Sequence, residues 1–525
     1  MANSDPIPRD QAPPSDSEET NGADEISEEG EEEEDTEYEE FEEEEEELDP
    51  VRERERLKSI FRRLSTDPVH VRVHDVVIKG NTKTKDAIIE AEISDLFKKP
   101  RTVQELVAAA SIANARLKQL DVFDSVSITL DAGPAELPGT TNVVIEVVEA
   151  SNPLTGNVGV FSKPEARSWS LEGSLKLKNL FGHADIWDTS GAFGWDQSLE
   201  IGTGVWVPRF KSVPTPLSAR AFLLSQDWLK FSSYKERLMG LNFGLLSTNN
   251  HDLSYNLTWR TLTDPTRMSS PSIRRQLGHN VLSALKYCYK IDRRDSHLRP
   301  KSGYAFSSTS QVSGLWDLRG LKFFRQEFDL RAAMPLGFWN AALNVGLSAG
   351  AIFPLGRNFT KLSTSVPDRF FLGGHSSLVC SLGGPSSLLG FQTRGLGPND
   401  MRRVLNLNKD EGSSVQSDCH DFVGGDLAVT AFADVSFDLP LKIFRDAGIH
   451  GHAFVCAGNL AKLSEGEIRN FSTERFLKTF RSSAGVGVIL PTKFFRVEVN
   501  YCHVLKQFEN DHGKNGIQFS FSSPL

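Results

Sequence analysis

The chain has 525 residues, 39% of them hydrophobic and 24% charged, with a formal net charge of −12. That charge is segregated: residues 1–50 hold 24 acidic residues against the single base Arg9, a net of −23, while the remainder carries 46 acidic and 57 basic residues, a net of +11. No stretch reaches the ~18–20 consecutive apolar residues of a membrane-spanning helix, which excludes a helical membrane protein but not a transmembrane β-barrel, whose strands need only alternate residues to be apolar.

Taken in order, residues 1–50 read as a disordered acidic tail. The runs Glu28–Asp35 and Glu42–Glu47 repel themselves and bring almost nothing apolar to bury. Such a tail either recruits basic segments of partners or is only a solvated extension. It lacks the basic and apolar regions of a signal peptide and is too acidic for a transit peptide, so membrane targeting is expected to be read elsewhere. Residues 51–68 form a basic linker helix, with Arg52, Arg54, Arg56, Lys58, Arg62 and Arg63 around Leu57, Ile60, Phe61 and Leu64. Its partner is either an anionic membrane surface or the following domain.

Residues 69–150 make one small α+β unit. Val71–Ile78 is a strand ended by the turn at Gly80-Asn81. Thr84 is placed to cap a helix carrying Ile88, Ile89, Ile93, Leu96 and Phe97, which Pro100 breaks; Thr102 caps a second helix through Leu106, Val107, Ala110, Ala113 and Leu117. Two alternating strands, Asp124–Leu130 and Asn142–Val148, complete a β-α-α-β-β order with the helices on one sheet face.

From residue 151 onward the period changes from 3.6 to 2. Leu171/Gly173/Leu175/Leu177, Leu199/Ile201/Val205, Leu253/Tyr255/Leu257/Trp259, Leu343/Val345/Leu347, Leu427/Val429/Ala431 and Val497/Val499/Tyr501 form apolar faces, with Gly, Ser, Asn and charges between them. A soluble sandwich is the alternative. About 16 antiparallel strands in a membrane barrel use some 375 residues naturally. At the C-terminus, Ile517, Phe519 and Phe521 alternate with Gln518, Ser520 and Ser522 in a last strand that a barrel would close against its first, near Gly156 and Val158. The five cysteines, Cys288, Cys380, Cys419, Cys456 and Cys502, show no CxxC spacing, so neither a zinc centre nor a disulfide framework is indicated. His450 and His452 share a strand face but bring no further ligands in sequence. There is no phosphate-binding GxxxxGK[ST], nucleophile elbow or HExxH. The expectation is a protein that is not an enzyme, with no cofactor, metal or nucleic acid.

Several motifs carry a family resemblance. The β-α-α-β-β unit with Gly80-Asn81 and Leu120-Asp121-Val122-Phe123-Asp124 resembles a polypeptide-transport-associated (POTRA) domain. The series Asn179-Leu180-Phe181-Gly182, Asp292-Arg293-Arg294-Asp295 with Pro300-Lys301-Ser302-Gly303-Tyr304, Phe371-Leu372-Gly373-Gly374 with Leu389-Gly390-Phe391, and Ala457-Gly458-Asn459 resembles the outer-membrane-protein-85 superfamily. With one POTRA domain, the chain looks most like the core barrel of the mitochondrial sorting and assembly machinery (SAM). The tail (1–50) lies outside the resemblance. Lys514, Gly516, Phe519 and Phe521 also resemble the sorting signal of mitochondrial barrel precursors.

The resemblance implies insertion and assembly of β-barrel precursors in the mitochondrial outer membrane, through a lateral gate between first and last strands. Gate residues would be Gly156, Val158, Gly516, Phe519 and Phe521. Partners would be precursors, other SAM subunits and membrane lipids, with the POTRA domain toward the intermembrane space. A protein-conducting or passive channel in a mitochondrial or plastid outer membrane is the alternative, and a docking scaffold a third. It also implies that the loop holding Leu389, Gly390 and Phe391 folds into the lumen. There the chain departs twice from the family: Leu389 stands where Arg usually precedes Gly-Phe, and Cys456 where Asp often precedes Ala-Gly-Asn. Arg394 is the candidate to supply the missing ionic contact.

Overall fold

The structure, a computed structural model, describes residues 69–161, 170–195, 197–209, 215–248, 250–315, 322–355, 364–374, 376–380, 382–403, 420–463, 472–491 and 496–522. The expected acidic tail and basic linker helix lie outside these residues. The first sheet has β1 (Arg72–Lys79), β2 (Phe123–Ala132) and β3 (Thr140–Glu149) in the order β1-β3-β2, parallel between β1 and β3 and antiparallel between β3 and β2. Val143, Ile145 and Val147 of the central strand are buried against Ile89 and Ile93 of helix α1 (Asp86–Phe97) and Leu106, Ala113 and Leu117 of α2 (Val103–Gln119). Each aliphatic side chain of this size buried there contributes roughly 1.5–3 kcal/mol. Thr102 caps α2, its hydroxyl accepting from Glu105 N at 3.3 Å.

Thr84 does not cap α1. Lys85 holds the cap position with no side-chain bond, because the Thr84 hydroxyl is drawn outward to donate to Glu149 Oε1 at 2.7 Å. Glu149, at the end of β3, also accepts from the Thr82 hydroxyl and the Thr84 N–H, at 2.5 and 2.7 Å, and from the Lys83 N–H at 3.0 Å. Partial burial pulls its pKa upward, but these donors together outweigh burial and bring it to about 2.

The second sheet has sixteen strands. It runs β4 (Leu154–Phe161), β5 (Ser170–Lys178), β6 (Ile186–Gly194), β7 (Leu199–Val207), β8 (Leu217–Asp227), β9 (Lys235–Ser247), β10 (His251–Thr263) and β11 (Gly278–Asp292). It continues through β12 (Gly303–Ser313), β13 (Phe323–Pro335) and β14 (Ala342–Pro354). A long excursion carrying the small pair β15 (Asn399–Met401) and β16 (His420–Phe422) follows. The sheet then finishes with β17 (Leu427–Asp438), β18 (His450–Ala461), β19 (Arg481–Pro491), β20 (Arg496–Lys506) and β21 (Gly516–Ser522). Every neighbouring pair is antiparallel, and chain order is sheet order, with β17 beside β14.

The burial pattern decides between sandwich and membrane barrel. Leu171, Leu175, Ile201, Leu330, Leu347, Val455, Val486 and Tyr501 are exposed, while Ser254, Arg260, Asp329, Arg331, Asn344, Asp434, His452, Glu498 and Asn500 are buried. A water-soluble sandwich has the opposite arrangement; an apolar outer face around a polar interior fits a lipid-facing barrel. Among the described residues no helix is long and apolar enough to cross a membrane.

The Glu149 cluster generates a pH prediction. Its folded pKa is depressed, so its contribution is complete above the unfolded value near 4.5 and lost as pH falls toward about 2. Thermal unfolding of the whole protein in detergent should show a Glu149-dependent loss of stability in that window. Glu149→Gln should remove this component and lower stability at neutral pH by about 1 kcal/mol. An unchanged acid profile in the variant would refute the assignment.

Candidate functional site

The two ends of the sixteen-stranded sheet are β4 and β21, and among the described residues no backbone ladder joins them. They are described over 8 and 7 residues, each up to the edge of the described residues. Gly156 lies opposite Leu175 of β5, and Val158, 82% exposed, lies opposite Gly173. On the other end Gly516, at φ +123°, pairs with Cys502, Phe519 with Val499 and Phe521 with Val497. Ile517 and Phe519 face outward; Gln518 and Ser520 are buried in the lumen.

One side of this seam is braced from inside. The excursion between β14 and β17 enters the barrel as a strap. Its base is closed by Phe370 and Gly425, which exchange backbone hydrogen bonds of 2.9 and 3.0 Å. Arg260 of β10 grips it with two bonds of 2.8 Å to the Asp368 carboxylate, and Arg325 of β13 donates to Asp368 O at 2.9 Å. The strap therefore touches strands from both halves of the sheet, which curls around it. At the mouth, buried Asp421 accepts from Ser233 Oγ at 2.6 Å, Ser270 N at 2.8 Å and Arg402 Nε at 2.7 Å, tying the strap to the loops before β9 and β11.

The strap tip meets the last hairpin. Lys514 N donates to Gly390 O at 2.8 Å, Gln392 N to His512 O at 3.0 Å and His512 N to Gly395 O at 2.6 Å, with a bridge between Phe391 and Gly513. Gly390 N donates to Gln518 Oε1 of β21 at 3.2 Å, and Gly397 N to Asp511 Oδ1 at 3.2 Å. Asp511 in turn is ion-paired with Arg481 of β19 at 2.9 Å. Gly390 is needed here twice over. Its φ is +86°, and a Cβ would lie 3.0 Å from that of Ser483.

On the β4 side the POTRA-like domain takes over. The turn between β5 and β6 is Asn179-Leu180-Phe181-Gly182-His183-Ala184-Asp185. Asn179 Nδ2 donates to Thr84 Oγ1 at 2.8 Å, Lys85 N donates to Gly182 O at 3.0 Å, and Ala184 is fully buried in the core of that domain. Arg209 adds an ion pair to Glu92 at 3.0 Å. The receiving loop is the one shaped by Glu149, and it begins at Gly80-Asn81. Gly80 has φ +89°, and Asn81 Nδ2 donates to Thr84 O at 2.9 Å. This docking is why Thr84 is unavailable to cap α1.

The other motifs serve the same frame. Arg294 pairs with Asp292 at 2.7 Å and donates to Val379 O of the strap at 2.9 Å. Asn459 accepts from Arg481 at 2.7 Å and donates to Phe476 O at 2.7 Å. His452 holds Asp434 and Asn500, each at 2.7 Å, so both ring nitrogens are engaged with protein groups.

A family profile described as "Omp85 superfamily domain" matches residues 179–523. The chain belongs to the Omp85 superfamily. A second profile, POTRA, described as "Surface antigen variable number repeat", matches residues 71–150. The chain is 27% identical over 482 residues to "Sorting and assembly machinery component 50 homolog" of Xenopus tropicalis, covering 90% of this chain and 92% of that one. It is 26% identical over 462 residues to the Homo sapiens protein of the same name, covering 85% and 89%. Among solved structures, BamA from Haemophilus ducreyi lacking POTRA domains 1–3 superposes with a TM-score of 0.67 at 16% identity, over 86% of this chain and 84% of that one.

Leu389 and Cys456 come from the strap and from β18. They are buried side by side in one apolar cluster with Leu372, Leu388, Phe391 and Cys502. Arg394 does not make the ionic contact expected of it. At φ +55° it turns away from the wall and stacks its guanidinium 3.3 Å from the Trp228 ring centroid and 3.9 Å from that of Phe371. It also donates to Tyr234 Oη at 2.8 Å. The carboxylate within its electrostatic reach, Glu236, is paired with Arg260 at 3.1 Å. Nothing in the spacing of Trp228, Tyr234 and Phe371 announced this cage, because Trp228 and Tyr234 share the loop between β8 and β9 while Phe371 and Arg394 come from the strap.

Arg394→Lys should lose the planar stack while keeping the charge. A loss of about 1–2 kcal/mol in unfolding in detergent is expected, with Arg394→Met recovering no more than Lys. Equal stability of wild type and Arg394→Lys would show that the aromatic cage contributes nothing.

Proposed function

We propose that this protein inserts and assembles β-barrel precursors in the mitochondrial outer membrane, using the seam between β4 and β21 as a lateral gate. The observation that carries the reading is that, among the described residues, the two end strands share no ladder in a sheet whose other fifteen junctions are laddered. In hydrocarbon each unpaired backbone group costs several kcal/mol, so these edges gain from accepting a strand. A precursor's terminal strand supplies the missing partners by strand addition. Glycines Gly156, Gly159 and Gly516 keep the edge strands weak enough to exchange partners. No bond chemistry and no nucleotide are required. The driving force is burial of the precursor's apolar face in lipid and completion of its backbone pairing.

The relatives named for the sorting and assembly machinery support the mitochondrial location and a complex with other subunits of that machinery. The POTRA domain would face the intermembrane space and receive precursors there. A simple open channel fits less well. The strap enters the lumen, and a cavity of about 540 Å³ beside it is lined in part by Lys286, Arg325, Glu327 and Arg331.

The test is a disulfide across the seam. Val158→Cys is combined with Gly516→Cys or Ile517→Cys, and assembly of a radiolabelled barrel precursor is followed in isolated organelles with and without oxidant. Crosslinking that reversibly blocks assembly is the expected result. A seam that crosslinks fully while assembly continues would remove the lateral gate.

A further inference from the structure

We propose that the turn between β13 and β14 and the short helix between β17 and β18 form a membrane-anchoring platform, seated in the headgroup layer of the bilayer on the rim that carries the POTRA domain. Such an anchor needs only a lipid-facing barrel, and it stands whether or not the seam between β4 and β21 opens.

Phe338 O accepts from Ala341 N at 2.7 Å, closing a tight turn whose two central residues, Trp339 and Asn340, have φ of +45° and +51°. A hairpin turn of this kind favours Asn or Gly at its centre, and a bulky side chain in the left-handed region is an outlier. Trp339 nevertheless stands there, 76% exposed, so core packing does not account for it. The turn is firmly held. Asp438 N donates to Trp339 O at 3.1 Å, Asn340 Nδ2 donates to Asp438 Oδ2 at 3.1 Å, and Arg299 pairs with Asp438 at 2.7 Å. Asp438 ends β17, and the helix Lys442–Asp446 follows it. Leu441, at the start of that helix, and Ile443 within it are exposed, as is Phe338 on the turn. No residue of the helix is buried.

The occupant follows from what this surface continues. On β13 the outward file Phe328, Leu330 and Met334 is exposed, and Leu336 extends it past the strand end. On β17 the lumen side holds buried Asp434 and Ser436, so Val435 and Phe437 face outward, and Leu439 and Leu441 lie beyond them. The platform is thus continuous with the lipid-facing band. It ends in Trp339 on the turn and Lys442 and Arg445 on the helix, all exposed, with Asp446 following. Tryptophan and long basic side chains suit the headgroup layer because each joins an apolar body to a polar tip. Its place on the sheet also fits. Antiparallel neighbours put every second connection on one rim. The β13–β14 turn is eight strands along the sheet from the β5–β6 turn that docks the POTRA domain, and the β17–β18 helix is eight from the β7–β8 connection carrying Arg209. Platform and POTRA domain therefore share a rim and face each other across the barrel.

The experiment places the full chain in lipid nanodiscs and takes Trp339 emission as the difference between the parent and Trp339→Asn. Asparagine suits the left-handed turn, so the backbone is kept. This emission should be quenched at least about threefold more strongly by lipid brominated near the headgroup end of its chains than by iodide. Leu441→Asn combined with Ile443→Asn should reverse that order, again read as the difference made by Trp339→Asn, because the helix no longer seats the rim. Emission quenched by iodide and untouched by brominated lipid would put Trp339 in water, leave the platform to a protein partner and overturn the anchor. Quenching unchanged by the two helix substitutions would show that turn and helix do not act together, which also overturns it. If an asparagine variant fails to give a barrel resistant to cold detergent, Trp339→Phe and the single Ile443→Asn replace them, with the same outcomes deciding.

Discussion

A strand in a hydrocarbon layer can satisfy its backbone only with another strand, and the architecture of this protein follows from that constraint. Fifteen of the junctions in the sixteen-stranded sheet meet it with continuous antiparallel ladders. At the sixteenth, no ladder is found among the described residues, and the two flanks of that junction are held by different means. On the β21 side, the strap from between β14 and β17 binds the last hairpin through backbone bonds at Gly390, Gln392 and Gly395. On the β4 side, the first hairpins are tied to the POTRA domain through the Asn179-to-Asp185 turn and the loop organised by Glu149. The junction of β21 and β4 therefore lies between a last hairpin bonded to the lumen strap and first hairpins tied to the POTRA domain.

The lumen is polar, and its charges are arranged in local pairs. Arg260 faces Asp368 and Glu236, Arg331 faces Asp329, Arg481 faces Asp511, and Arg496 faces Glu498. Buried pairs of this kind add little net stability over apolar contacts, but removing one member is expensive. They therefore define where the strap sits more than how stable the barrel is. Around Leu389 and Cys456 the strap meets the wall through an apolar cluster instead. Arg394, the cation that sequence alone would assign to an ionic contact, is held instead by aromatic faces.

Much of the fold was legible in the sequence because each level carried its own period. The helical spacing of Ile89, Ile93, Leu106 and Leu117 located the two POTRA helices. The alternation in segments such as Leu343–Leu347 and Ile517–Phe519 located strands whose apolar face is exposed. The failures share one cause. Thr84 has the sequence position of a helix cap but bonds to Glu149 and Asn179, residues 65 and 95 positions away. Local propensity yields when a long-range partner offers a better hydrogen bond.

Sequence alone determined the change from a 3.6-residue to a two-residue period near residue 151, the alternation of apolar and polar strand faces, and the turn chemistry at Gly80. These are local properties, set by side-chain type and backbone preference within a few residues. Tertiary structure alone decided that the strap bonds to the last strand and the last hairpin. It also decided that the Asn179 turn enters the POTRA core and that Leu389 and Cys456 meet. Each of these joins segments far apart in the chain, and such contacts depend on how the sheet curls and where the strap descends, which no local pattern encodes.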